Sequence, residues 1–549
     1  MTPNIDHKGA TWQEIAQKVR DHRDITVEKI EPAIPTQFDY LPSRVIDVPR
    51  QHLSAAEVEI TESPIDSLLS SLAIGKLTSL EVTKAFLRRA AIAQKLTNCV
   101  YELLPERAIA RAKELDEALA KGEPVGPLHG LPISVKEHIG VEGRDCTAGF
   151  VGWVGNKSPY DANILKILLK AGAVLYVRTT EPQGLMVLET CSNITGVTTN
   201  PHNTSLTPGG SSGGEGALLA LRGSPLGIGS DIGGSIRSPA GNCGIYGLRP
   251  TPARLPLIGL EAFSIGCETV MGAIGPMSPT LDGIELFMKT VLNSRPWDDD
   301  LSLHQMPWRV LEPSKKLTVG VIWDDGVVKP SPPVQRALKE VVEKLKALPD
   351  VDVIDWAPYK HDEAMKLLTK LYAPDGGRAF AKGLATSGEP WLPLPEFTMK
   401  GSPGVEDLEQ HDIWKYTKDR EIFRYMYLQE WNNAAPTMDV ILSPVGPLPA
   451  PPHGTSKYWG YTSIWNLLDY PGIVFPVTKV NPELDAKDES YKPRNEMDKL
   501  YYDNYSVDGQ KDAPVALQLV AKKLYDEELV EALKTIKREI SLPFVNSLA

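Results

Sequence analysis

Cysteine is scarce. Five residues in 549, Cys99, Cys146, Cys191, Cys243 and Cys267, make an odd number with no C-x-x-C pairing. A disulfide framework is therefore not expected, and a reduced cytoplasmic protein is. No apolar run reaches the roughly 18 residues that a membrane-spanning helix needs, and residues 1–10 are polar, so neither a span nor a secretory leader is expected. Lysine and arginine form no basic run, and 58 of them stand against 70 acidic residues for a net charge of −12. That balance argues against a surface built for phosphate backbones, and nucleic acid is not expected as a partner. The ten histidines contain no H-E-x-x-H or comparable ligand spacing, so no metal is expected, and His129 and His138 read as ordinary histidines near turns. Neither a G-x-x-x-x-G-K-S/T loop nor a dinucleotide fingerprint occurs, and no cofactor is expected.

What is present reads as a large globular core. With 42% hydrophobic and 23% charged residues, the chain can bury one extensive α/β domain or several average ones. Residues 11–22 predict an amphipathic helix carrying Trp12, Ile15, Ala16 and Val19 on one side, and the proline-rich residues 30–48 predict an extended arm that wraps the body or supplies a dimer contact. Ser63-Pro64 reads as an N-cap with proline at the first helical position, and Thr78-Ser79-Leu80-Glu81 as a capping box. Further on, helix and strand patterns alternate, with strands over residues 131–136, 173–177, 317–323, 351–356, 440–444, 473–478 and 514–520. Such alternation implies a mixed, largely parallel sheet covered by helices. Residues 360–427 are helical and loop-like and predict an insertion or cap over one edge of the sheet, which would limit substrate size if it borders the pocket; residues 483–502 are charged and predict a surface excursion.

The densest chemical signal is Pro208–Pro239, PGGSSGGEGALLALRGSPLGIGSDIGGSIRSP. Two serine-bearing glycine clusters frame it, at 209–214 and 233–235. Glycine is costly to order, so clusters of it point to backbone conformations and close approaches that side chains forbid. One reading is a nest of backbone N–H groups for an oxyanion or phosphate, with serine hydroxyls as reactive groups. A flexible linker is the other. The apolar blocks at 217–221, suited to a buried helix, and 225–229, suited to a buried strand, rule against the linker. A serine nucleophile needs a base, and Lys136 closes the apolar strand at 131–136. Desolvation there would lower its pKa and let it work as a neutral amine, whereas a solvated strand-end lysine would have no such role.

These residues carry a resemblance. Gly209 to Ala240, GGSSGGEGALLALRGSPLGIGSDIGGSIRSPA, resembles the amidase signature of serine amidohydrolases. GPLHGLPISVKE at 126–137 is similar to the block that holds the catalytic lysine of that family, and the likeness continues through Pro182-Gln183, residues 247–250, Ser443-Pro444 and residues 514–520. Together with Leu96-Thr97-Asn98-Cys99 and Ser387-Gly388-Glu389-Pro390, it is closest in character to the fungal acetamidase branch.

The resemblance implies an α/β fold with a large, mixed, mostly parallel twisted β-sheet covered by helices on both faces. It also implies a catalytic domain over residues 59–549 behind an N-terminal arm over 1–58, and a homodimer. It implies a Ser-cisSer-Lys triad of nucleophile Ser235, relay Ser211 and base Lys136. The oxyanion hole falls on the backbone N–H groups of Ile232, Gly233, Gly234 and Ser235. Asp231 and Arg237 brace the nucleophile loop, and Ser212 either stiffens the relay or is a turn serine. Leu185 and Met186 either line an acyl pocket or belong to the core. Glu215 suits the N-terminal dipole of its helix, and Cys243 and Cys267 read as packing residues. The implied reaction is hydrolysis of small aliphatic amides, with small carbamates, esters or fatty-acid amides as rivals.

A competing reading takes Gly209-Gly210-Ser211-Ser212-Gly213 as a G-x-S-x-G nucleophile elbow with a histidine base. The elbow needs an apolar strand before it, and residues 200–208 are polar and broken by proline.

Overall fold

Capping residues set where the N-terminal helices begin. Thr11 with Glu14, Ser54 with Glu57 and Thr78 with Glu81 each form a reciprocal capping box, opening helices Trp12–Glu28, Ala55–Glu62 and Ser79–Thr97. Ser63 does not cap the next helix, as its sequence context predicts. It closes Ala55–Glu62, with Oγ donating to the Glu59 carbonyl at 2.6 Å, and Pro64 takes the cap position of Ile65–Ala73. Two helices abut there with no room for a separate cap. The structure, a computed structural model, describes residues 9–35, 38, 42–312, 316–434 and 436–540. Part of the expected arm, residues 36–37 and 39–41, and the expected leader-free residues 1–8 lie outside them.

The strands are β1 (Val100–Leu103), β2 (Pro132–Lys136), β3 (Val174–Thr179), the short pair β4 (Cys191–Ser192) and β5 (Gly196–Val197), β6 (Gly227–Asp231), β7 (Tyr246–Arg249), β8 (Ala273–Ser278), β9 (Leu317–Val321), β10 (Val351–Asp355), β11 (Val440–Pro444), β12 (Gly472–Lys479) and β13 (Pro514–Val520). All but β4 and β5 join one sheet of 11 strands in the order β1-β3-β2-β6-β8-β7-β12-β13-β11-β9-β10. Helices flank this mixed sheet, as expected for the α/β class. Parallel pairing is confined to two blocks, β3-β2-β6 and β11-β9-β10, and the ladders between and outside them are antiparallel. The parallel share is smaller than helix–strand alternation suggests, because β7 to β8 and β12 to β13 are joined by excursions rather than by crossover helices.

One consequence positions the candidate site. β2 and β6 are parallel neighbours with Ser134 opposite Gly227 and Val135 opposite Ile228, so their C-terminal ends reach the same sheet edge. Lys136 ends one strand and Asp231 the other. The helix Gly213–Ala220 lies against β2, β3, β6 and β8, and every residue in it is buried, which explains its apolar character all round.

The remaining segments attach to this core. Ile15, Ala16 and Val19 pack on Tyr101, Val151, Val154 and Ile194, while Ile30, Val45, Ile46 and Val48 of the arm enter the main core. Residues 360–427 form helices His361–Tyr372, Arg378–Ala385 and Pro393–Glu396, a π-helical turn Phe397–Gly401 and most of Gln410–Asn432. Residues 483–502 are less superficial than their charge predicts: Asp485 is buried, bonded by Arg336 Nε at 2.7 Å, and Tyr501 is buried too. Among the described residues no helix is long and apolar enough to cross a membrane.

Thr78→Ala removes one acceptor of the capping box and should destabilise the start of Ser79–Thr97 by about 1 kcal/mol. Native-state hydrogen exchange of that helix measures it; unchanged amide protection would contradict the assignment.

Candidate active site

Lys136 is wholly buried, and its Nζ lies 2.5 Å from Ser211 Oγ and 3.2 Å from Ser230 Oγ. Burial pushes the amine down to about 8, against the opposing pull of the Glu181, Asp231 and Glu215 carboxyl groups. Ser211 follows a cis Gly210–Ser211 peptide bond. A side chain at Gly210 would place a Cβ 2.1 Å from the Glu189 carbonyl oxygen, so glycine is required for this approach.

Ser235 is 5% exposed and opens into the same cavity as Ser211, Ser230 and His138. Its Oγ has no hydrogen-bond partner among the described residues. The two serine segments are tied through backbone instead, the Ser212 N–H donating to the Ser235 carbonyl at 3.1 Å. Ser212 Oγ accepts from the Ser230 N–H and donates to the Ser230 carbonyl, both at 3.3 Å, so it ties the first glycine cluster to the end of β6.

Asp231 organises the loop that carries Ser235. Its carboxylate accepts from the N–H groups of Gly234 at 2.8 Å and Ile236 at 3.1 Å, from Asn466 Nδ2 at 3.0 Å, and from Arg237 Nε and Nη2, each at 3.0 Å. Burial by itself would raise this carboxyl, but the Arg237 guanidinium and these donors hold it well below the usual carboxylate range. Arg237 also donates to the Thr462 carbonyl at 2.8 Å and to Asn466 Oδ1 at 2.6 Å. The Gly234 N–H is thus already committed, whereas those of Ile232, Gly233 and Ser235 have no partner among the described residues. Two distant hydroxyls hold the adjoining carbonyls: Tyr372 Oη donates to Ile232 O and Thr462 Oγ1 to Gly233 O, both at 2.7 Å. Gly234 has φ +131°, and a Cβ there would sit 2.3 Å from Thr462 Oγ1.

The cavity measures about 430 Å³ and is largely apolar. Leu185 and Met186 line it with Ile232, and its far wall is residues 257–273. No residue of 360–427 lines it; Phe380, Leu384 and Met399 pack behind Met186 and Phe150, and Tyr372 reaches in only to brace the loop. Cys267, expected in packing, lines the cavity with Sγ 3.0 Å from Thr269 Oγ1, while Cys243 is buried. Glu215 is more than a helix-dipole residue: it is wholly buried, accepts from Ser134 Oγ at 2.6 Å and Thr179 Oγ1 at 2.8 Å, and is pushed up to about 7 by burial. His138, read from sequence as an ordinary turn histidine, is buried in the cavity wall, 2.8 Å from Ser230 Oγ. Only its place two residues beyond Lys136 hinted at this, and Tyr372, Thr462 and Asn466 had no local signal at all.

A profile of the amidase family matches residues 81–530. The chain belongs to the amidase family. A Schizosaccharomyces pombe protein provisionally named an amidase is 47% identical over 533 residues, covering 96% of this chain and 98% of the relative. The acetamidase of Emericella nidulans is 39% identical over 94% of this amidase and 96% of its own length. Among solved structures, one titled fatty acid amide hydrolase superposes with a TM-score of 0.90 at 35% identity, covering 97% of this chain and 95% of the other. The resemblance to the amidase signature and to fungal acetamidases is therefore established, and so is a hydrolase acting on amides.

A lysine near 8 when folded and 10.5 when unfolded leaves the unfolded chain binding more protons between those values, so stability rises with pH across that window. Lys136→Met should therefore stabilise the fold by roughly 3 kcal/mol below pH 8, with the gain gone above about pH 10.5. Denaturation at several pH values checks this; a gain independent of pH would contradict a depressed Lys136.

Proposed function

We propose that this amidase hydrolyses aliphatic amides through an acyl-enzyme on Ser235, with Ser211 as proton relay and Lys136 as base. The observation that carries the reading is the buried amine 2.5 Å from Ser211 Oγ, with Ser211 and Ser235 lining one cavity. Ser235 Oγ bonds to the amide carbon while its proton passes to Ser211 and the Ser211 proton to the neutral amine. The contact between the two serines closes when substrate is bound, as catalytic hydrogen bonds often do. Collapse of the tetrahedral adduct breaks the C–N bond, and the relay runs backward to protonate the departing nitrogen. Water then attacks the ester by the same route, releasing the carboxylate. The uncommitted N–H groups of Ile232, Gly233 and Ser235 hold the oxyanion, each worth about 3 kcal/mol; the Gly234 N–H serves Asp231 instead.

For the substrate, relatives named as acetamidases favour a small aliphatic amide such as acetamide. The cavity favours a second reading, an amide with a longer apolar acyl chain. At about 430 Å³ it lies in the range of about 300–1,000 Å³ found for small-molecule sites, far more than acetamide fills. A cytoplasmic setting agrees with five unpaired cysteines.

Hydrolysis of a series from acetamide through propionamide and hexanamide to a long-chain amide, with ethyl carbamate and a simple ester, distinguishes these readings. Activity falling steeply beyond propionamide supports the acetamidase reading; activity rising with chain length, and suppressed by Met186→Trp, supports the longer acyl group. Ser235→Ala should lose activity by about 10⁴-fold or more, and wild-type turnover in that variant overturns the mechanism. Because neutral lysine is the working base, activity should climb through about pH 8 to an alkaline plateau. Lys136→Ala should remove that limb.

A further inference from the structure

His138 lies two residues past Lys136, and hydrogen-bond chemistry fixes its role more tightly than distance alone. Its Nδ1 is 2.9 Å from the Glu261 carbonyl oxygen, which can only accept, so Nδ1 carries the ring proton. In a neutral ring Nε2 is then an acceptor, and the group 2.8 Å away is the Ser230 hydroxyl. Ser230 therefore donates to His138, and its oxygen, 3.2 Å from Lys136 Nζ, accepts an N–H from the lysine. A neutral amine has one lone pair. With an N–H spent on Ser230, that lone pair is left for the Ser211 hydroxyl at 2.5 Å.

We propose that His138 is a positioning residue that locks the Ser230 hydroxyl away from Lys136 and so keeps the lysine lone pair aimed at Ser211. The inference rests on the Ser235–Ser211–Lys136 reading above. If His138 were absent, the Ser230 hydroxyl could turn and donate to the lysine nitrogen, occupying the lone pair that the relay requires. The ring stays neutral because it is buried and lies beside Lys136, with Arg178 adding further positive charge, which together push it down to about 3. The other charged or titratable groups around the pair are Glu181, whose carboxyl accepts the His138 backbone N–H at 3.2 Å, Glu215, Asp231 and Glu137. Burial and the neighbouring Glu137 push Glu181 well up.

The test compares His138→Leu, which fills the space without an acceptor, with His138→Gln, whose amide oxygen can accept from Ser230. Each is made in the wild-type and S230A backgrounds and assayed on the best amide of the series. H138L should lower kcat by about tenfold or more with KM little changed, and H138Q should recover to within about threefold of wild type. In the S230A background, which lacks the competing hydroxyl, H138L should cost less than about twofold. The acid limb of the pH profile should move to lower pH in H138L, because the charged amine loses a polarised acceptor and the neutral amine gains a donor. Equal losses in H138L and H138Q, or the same loss with and without Ser230, would overturn the proposal. An acid limb moving to higher pH would also do so, marking a pocket loosened and wetted around Lys136. None of these outcomes touches the triad, which stands or falls on Ser235→Ala.

Discussion

A primary amine with no exposure to solvent, held against a serine hydroxyl, is the contact on which the rest of the site depends. Buried ammonium groups are expensive, so the surroundings shift the amine toward neutrality rather than supply a full counter-ion. Asp231 lies close enough to pull the other way, but its charge is already matched by Arg237 and by three further donors, the Gly234 and Ile236 N–H groups and Asn466 Nδ2. Glu215 is held by two hydroxyls and pushed up to about 7 by burial, and Glu181 is raised by burial and by its neighbour Glu137. Among the described residues, several carboxyl groups thus surround one lysine without forming a salt bridge to it, and a salt bridge would disable the neutral base proposed above.

The sheet supplies the geometry. Parallel pairing of β2 and β6 carries Lys136 and the Ser230–Asp231 end of β6 to one edge, and the buried helix after Ser212 fills the space behind them. Around this, long-range contacts do the positioning. Tyr372 and Thr462 hold consecutive carbonyls of the loop, and Asn466 joins both Asp231 and Arg237. Fixing carbonyls on one side of a peptide aims the N–H groups on the other, and the proposed oxyanion site needs such preorganisation to avoid reorganising during reaction.

Much of this was legible in sequence, and the boundary is physical. Capping boxes, β-branched strand runs and the glycine clusters are local signals, so Thr78, the strand ending at Lys136 and the Ser211–Ser235 stretch could be read directly. Ser63 misled because a cap signal is also a stop signal when two helices abut. The balance of parallel and antiparallel ladders was overread, since alternation reports crossover helices and says nothing about excursions between antiparallel neighbours. The segment 360–427 was rightly read as helical, but the cavity wall is built by residues 257–273, a stretch with no marked periodicity. His138 escaped because its meaning lies in Ser230 and Glu261, some 90 and 120 positions away, and a lone histidine carries no record of its partners.

The most direct test of the central claim is to find where the acyl group goes. The enzyme is quenched in acid during turnover of an activated acyl ester, digested, and each acylated peptide is located by mass spectrometry. The account predicts the acyl group on Ser235, with Lys136→Ala slowing its appearance. An acyl group on Ser211, or turnover with no covalent adduct at all, would contradict it.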